Sequence, residues 1–197
     1  DLHLSIRRQR QMCIRDSDIE KRLQWMEDRW KINDLLVHYS TTCDDHDIEG
    51  LANLYAEDGI FDAVAGKAKG RKAIAAYYEN RLADFGVSYH IPYSQAVERI
   101  SDREARGTVL GAVELALNGE AFWAALRYSD HYVKDDDDEW KFYERKVQQL
   151  YAMPLADLPK EIAGSLRQRW PGTEPKAADL PETTTSWQEH QDRLEVR

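Results

Sequence analysis

Cysteine is scarce in this chain. Cys13 and Cys43 are the only two, too few for a disulfide scaffold, and no C-x-x-C pair or Cys/His cluster has the spacing of a zinc site. Long apolar runs are missing too, and nothing approaches the roughly 18 consecutive apolar residues of a membrane span. Positive charge is in deficit, with 27 Lys+Arg against 36 Asp+Glu and a formal net charge of -9. A nucleic-acid binder normally presents a basic stripe, so that class is set aside. Proline is sparse through the middle of the sequence. Five of the six prolines stand beyond residue 152, and only Pro92 precedes them. No internal repeat is present. The expectation is a reduced, cytoplasmic protein that takes neither nucleic acid nor membrane.

Aromatic residues, by contrast, are plentiful. Six Trp, ten Tyr and four Phe supply the bulk for a real core. A chain of 197 residues suits one domain with appendages. Residues 1–17 interrupt every apolar run with arginine, so they carry no secretion signal. The string MCIRDS looks like translated adapter sequence, and 1–17 is expected to be a non-native or disordered segment. Residues 18–152 are expected to form the domain. Residues 153–197 read as a proline-rich tail with one short helix near 160–170. Its apolar side chains Leu155, Leu158, Ile162, Leu166, Trp170 and Trp187 are expected to cover the domain's own pocket mouth or a neighbouring subunit.

Periodicity gives helices first and strands later. Ile32, Leu35, Leu36, Tyr39 and Cys43 fall on one face of a helix over about 19–43. Asp47 is placed to cap a second short helix carrying Ile48, Leu51, Leu54 and Tyr55. Residues 60–64 read as a strand and 66–70 as a turn-rich connection. A third helix carries Ile74, Tyr77, Tyr78, Leu82 and Phe85. After Gly86 the period becomes that of strands, over 88–100, 106–117, 121–134 and 139–151, with Asn118-Gly119 as the sharpest hairpin signal. Helices followed by an antiparallel meander predict an α+β fold, its helices packed on a strongly curved, mostly antiparallel sheet that encloses a pocket.

Four residues in this frame carry chemistry. His90 stands near the start of the first long strand and Asp44 just past the first helix. Tyr39 lies on that helix's apolar stripe, and Arg145 lies in the last strand. A histidine backed by a carboxylate is an economical general base, because the carboxylate fixes the tautomer and supports the imidazolium that forms. Spacing alone leaves plainer roles open. His90 also reads as a hydrogen-bonded structural residue, Asp44 as a loop solvator, Tyr39 as core and Arg145 as a surface charge. The acidic run 135–139 lacks the ligand spacing of a calcium loop. Residues 66–72 lack the G-x-x-x-x-G-K-[ST] pattern of a phosphate loop. No metal site or cofactor is expected.

The stretches LLVHYSTTCDDHDIEGLANLYAEDGIF, GRKAIAAYY, a His-led strand and EWKFYERKVQQLYAMPL occur in order over about residues 19–155. Together they resemble the SnoaL-like branch of the NTF2-like superfamily. That branch holds hexachlorocyclohexane dehydrochlorinase, scytalone dehydratase and bile-acid 7α-dehydratase. The resemblance implies an NTF2-like cone, usually a homotrimer, that performs elimination without metal or organic cofactor on a small, largely apolar cyclic substrate. It puts catalytic roles on Asp44, His90, Arg145 and Tyr39. The dehydrochlorinase has a Lys at the place of Tyr39, which favours loss of water over loss of halide. Scytalone dehydratase has a second His where this chain has Leu115. Glu114, Arg127, His131 and Tyr143 are assigned to substrate binding; Glu114 also reads as a solvated strand residue and His131 as a rim residue. The alternatives are a ketosteroid-type isomerase, a polyketide cyclase, a non-catalytic ligand-binding module, or a small subunit of a larger assembly.

Overall fold

The structure, a computed structural model, describes residues 2–195, with side chains from Asp18 onward. The expectation for residues 1–17 lies outside the described side chains. The first helix, α1, runs Leu2–Asp44. Its stripe of Ile32, Leu35, Leu36, Tyr39 and Cys43 is buried to 5% exposure or less. His46, at φ 56°, turns the chain out of the helix. Asp47 then caps α2 (Ile48–Asn53), its carboxylate accepting from the Gly50 N–H at 2.9 Å.

β1 (Tyr55–Ala63) follows, and β2 (Gly66–Lys69) folds back on it antiparallel. Residues 66–69 are therefore a strand rather than part of the turn-rich connection expected over 66–70 from Gly66 and Gly70. Those glycines mark its ends, Gly66 at φ 146° and Gly70 at φ 83°. α3 (Arg71–Leu82) buries Ile74, Tyr78 and Leu82.

The meander comprises β3 (Phe85–Arg99), β4 (Glu104–Leu117), β5 (Glu120–Lys134) and β6 (Trp140–Pro154). Asn118 and Gly119 both take positive φ between β4 and β5, as a two-residue hairpin of this hand requires. At the β5–β6 turn the Asp135 carboxylate accepts from the N–H groups of Asp137 and Glu139. The six strands lie in the order β2-β1-β6-β5-β4-β3, antiparallel except for β1 beside β6. Helices packed on this mostly antiparallel, unclosed sheet make an α+β fold, as the order of periodicities predicts.

Strand parity decides which side chains reach the interior. On β5 the alternate residues Phe122, Ala124, Leu126, Tyr128, Asp130 and Tyr132 are buried, so the intervening residues face out. α1 is pinned to this sheet by a buried charge. Asp28, 2% exposed, accepts from Trp140 Nε1 at 3.0 Å and sits 2.9 Å from Lys134 Nζ. Burial by itself would raise the Asp28 carboxyl, but the hydrogen bonds from Trp140 and Lys134 hold it below its ordinary value.

The tail differs from expectation. Its only helix near 160–170 is one turn, α4 (Leu158–Glu161), and a second helix, α5 (Thr185–Glu195), follows the last proline. Between them the chain runs back along β6, where Ala152 N–H donates to Gln168 O and Asp179 N–H donates to Gln149 O. Leu155, Ile162, Leu166 and Trp187 stay exposed. Among the expected apolar contacts, Trp170 is the one that reaches the domain's pocket, stacking on Phe85. No described helix is long and apolar enough to cross a membrane.

A close approach inside the sheet gives a stability test. A Cβ built on Gly107 would lie 2.7 Å from the Tyr132 ring. That ring cannot yield, since Tyr132 is fully buried and its hydroxyl bonds Asp130 and Gln95. Gly107→Ala is expected to lower the unfolding free energy by about 1–3 kcal/mol, read as a reduced urea midpoint at unchanged slope.

Candidate active site

α1 and β3 meet where the helix ends. Asp44 is the last residue of α1, a place where the helix dipole disfavours a carboxylate, so its charge has to be satisfied from elsewhere. β3 does this with three groups. The Ser88 hydroxyl donates to Asp44 Oδ1 at 3.0 Å, the His90 backbone N–H donates to Oδ2 at 2.9 Å, and His90 Nδ1 lies 2.7 Å from Oδ1. Residues 88 and 90 share a face of the strand, so one carboxylate engages both. Burial by itself would raise the Asp44 carboxyl. The hydrogen bonds from the His90 ring and backbone and from Ser88 overcome that and hold it below the ordinary 3.8. An ionised carboxylate pairs with a proton-bearing nitrogen, so Nδ1 is the donor of this pair and Nε2 is the ring nitrogen left outside it.

His90 looks into a cavity closed by α1, α3, the sheet and the tail. Tyr39, Cys43, Phe61, Tyr78, Leu115, Leu126 and Tyr128 are among its walls, and its empty space, counted out to the open mouth, is about 580 Å³. Tyr39 stands edge-on to His90, with centroids 5.9 Å apart. Its hydroxyl shares a hydrogen bond of 2.9 Å with the Tyr78 hydroxyl. Burial pushes both phenols well above their ordinary value, so both remain proton donors through neutral pH.

Arg145 is placed differently from a free surface charge. It is 1% exposed, and its Nε and Nη2 donate to Asp130 at 3.0 and 2.8 Å. The guanidinium is enclosed by the rings of Tyr39, Tyr128 and Phe142, at 4.1–4.3 Å from their centroids. With Tyr39 and His90 it lines a second, smaller cavity beside the first.

Glu114, Arg127, His131 and Tyr143 are not brought to this cavity. Inward Val113 and Leu115 flank Glu114, which is exposed, and inward Leu126, Tyr128, Asp130 and Tyr132 alternate with Arg127 and His131. His131 instead engages Glu104 at 2.7 Å and packs edge-on against Tyr143 on the outer face. Strand parity thus separates these four residues from the expected binding wall. Reasoning from sequence missed Ser88, Tyr78 and Asp130, which hold Asp44, Tyr39 and Arg145 in place. The shared parity of Ser88 and His90 was the one signal available for them. Among the described residues no three His, Cys, Asp or Glu side chains group as metal ligands.

The SnoaL-like domain family matches residues 24–146, well over half of the chain. The chain belongs to the SnoaL-like domain family. No curated protein sequence matches it. Among solved structures it is similar to a candidate scytalone dehydratase from Novosphingobium aromaticivorans, at 23% identity and TM-score 0.62, covering 66% of this chain and 89% of that one. It is also similar to a type 2 hexachlorocyclohexane dehydrochlorinase, at 21% identity and TM-score 0.64, covering 77% of this chain and 99% of that one. A type 3 hexachlorocyclohexane dehydrochlorinase from Novosphingobium barchaimii gives 21% identity and TM-score 0.64, covering 68% and 94%. At these identities the likeness is one of fold.

Two substitutions separate the site's supports. Asp130→Ala leaves the buried Arg145 without a counter-charge and is expected to cost about 3–5 kcal/mol, measured by chemical denaturation. Asp44→Asn removes a carboxylate whose folded pKa is depressed, so its stabilisation is present above 3.8 and lost as pH falls through the lower, folded value. The stability gap between unmodified protein and Asp44→Asn should therefore persist at pH 5 and shrink on further acidification.

Proposed function

We propose that this SnoaL-like protein is a cofactor-independent lyase that removes a proton from carbon of a small, largely apolar cyclic substrate. The observation that carries the reading is the Asp44–His90 pair at 2.7 Å, set in the wall of an otherwise mostly apolar cavity. His90 Nε2 takes the proton, and Asp44 offsets the charge of the imidazolium that forms. The electron pair of the broken C–H bond becomes the new double bond as the leaving group departs from the neighbouring carbon. For a departing hydroxyl, Tyr39 supplies a proton and water is released. The proton count closes when the imidazolium returns its proton to Tyr39 through solvent. Tyr78, bonded to the Tyr39 hydroxyl, stabilises the transient phenolate.

Arg145 acts in this reading as a positioning residue. Two of its nitrogens are committed to Asp130, and its plane fixes the Tyr39 ring. The neighbouring folds named as dehydratase and dehydrochlorinase favour elimination over other uses of the same base. A homo-oligomer in the cytoplasm, trimeric by the same resemblance, belongs to this reading. Tyr89, Tyr93 and Leu110 remain exposed on the meander as apolar surface for such contacts.

The test is a screen of hydroxylated and halogenated alicyclic compounds for loss of water or halide, with product mass and released halide as readouts. Isomerised product of unchanged mass would instead mark an enolate isomerase. With a substrate in hand, His90→Ala is expected to lower turnover by roughly 10²–10⁴ with the fold retained by circular dichroism. Asp44→Asn should keep substrate binding and lose a comparable share of the rate. A rate unaffected by either substitution would remove the dyad from the mechanism.

A further inference from the structure

Arg81 lies in the last turn of α3 and lines the mouth of the cavity. Among the described residues it has no carboxylate partner: the groups that act on its charge are the phenols of Tyr77, Tyr78 and Tyr39. Its guanidinium rests on the face of Trp170. Trp170 in turn stacks on Phe85, with centroids 5.8 Å apart and planes 21° apart. Tail and β3 together thus hold the cation at the opening. Burial lowers Arg81 to about 10, so it stays charged at neutral pH. Arg145 shows what this fold does with a buried guanidinium that has an internal anion. Arg81, partly buried at the cavity mouth, is left without one, so its charge is open to an anion from outside.

Two more polar atoms are left open in the same cavity. Gln149 is 5% exposed and its Oε1 has no partner, and the buried Tyr77 hydroxyl has none either. The remaining wall is mostly aliphatic and aromatic, and Arg81 is the sole Lys or Arg among the described lining residues. We infer that the cavity takes a compact ring compound carrying one carboxylate, paired with Arg81, and a ring hydroxyl that donates to Gln149 Oε1. A guanidinium matches a planar carboxylate with two parallel N–H donors. A phosphate would bring a second negative charge to a wall with no second cation. The inference names the substrate class for the lyase read from the same cavity and rests on that reading for the meaning of binding.

The experiment is isothermal titration of the full chain with cyclohexanecarboxylate, cyclohexanecarboxamide and 4-hydroxycyclohexanecarboxylate. The unmodified protein is expected to bind the acid about tenfold more tightly than the amide, since the amide cannot neutralise the partly buried guanidinium. Arg81→Met is expected to abolish that preference, and Gln149→Leu to abolish any advantage of the hydroxy acid over the plain acid. Should circular dichroism show Arg81→Met unfolded, Arg81→Lys supplies the reading through a severalfold weaker acid affinity at unchanged amide affinity. Equal binding of acid and amide, no binding of the acid, or a preference that survives the change at Arg81 would each overturn the inference. Binding that depends on Arg81, with no water or halide lost from any hydroxylated or halogenated ring acid, would sink the lyase and leave the carboxylate pocket standing.

Discussion

A guanidinium sealed in the middle of the protein sets the terms for everything around it. Arg145 cannot be desolvated alone, so β5 must deliver Asp130 beside it. Asp130 in turn accepts from Tyr132, and Tyr132 accepts from Gln95 on β3. One buried charge thereby ties β6 to β5 and β5 to β3. Three aromatic rings close over its faces, one of them the Tyr39 ring of α1. The helix therefore has little freedom in its approach to the sheet, and the cavity wall takes its shape from that contact.

The candidate site grows from the same constraint. Once Tyr39 is held against Arg145, the end of α1 arrives opposite Ser88 and His90, and Asp44 finds three donors from one strand. Tyr78 of α3 closes on the Tyr39 hydroxyl from the other side. Acid–base groups are thus supported by fixed neighbours in a largely apolar space, the arrangement in which preorganised charge and hydrogen bonds act most strongly.

Much of this was legible in the sequence because it is local. The helical stripe from Ile32 to Cys43, the Asp47 cap and the Asn118-Gly119 turn all follow from near-neighbour rules. Asp44 and His90 were singled out through the family resemblance, because their setting alone left plainer roles open; Asp44 ends α1 and His90 lies in the first half of β3. The four outer-face residues show where such reading stops. Alternation places Arg127, Ser129 and His131 together, but β5 carries bulky apolar residues on both sides, Phe122 on one and Trp123 on the other. Which side packs inward depends on partners elsewhere in the fold. Arg81 and Trp170 were out of reach for a similar reason. They are 89 positions apart and meet only because the tail doubles back along β6.

The two carboxylates of α1 have a consequence for how this architecture can vary. Asp28 is fixed to the β5–β6 turn and Asp44 to the start of β3. Sixteen residues separate them, a span of about 24 Å along a helix rising 1.5 Å per residue. Inserting a single residue between them would turn one carboxylate by about 100° relative to the other, and no repacking of the surface could restore both anchors. This stretch of α1 therefore works as a ruler of fixed length. Inherited insertions and deletions can settle in the loops and the tail, while the helix between the two aspartates is measured to the residue.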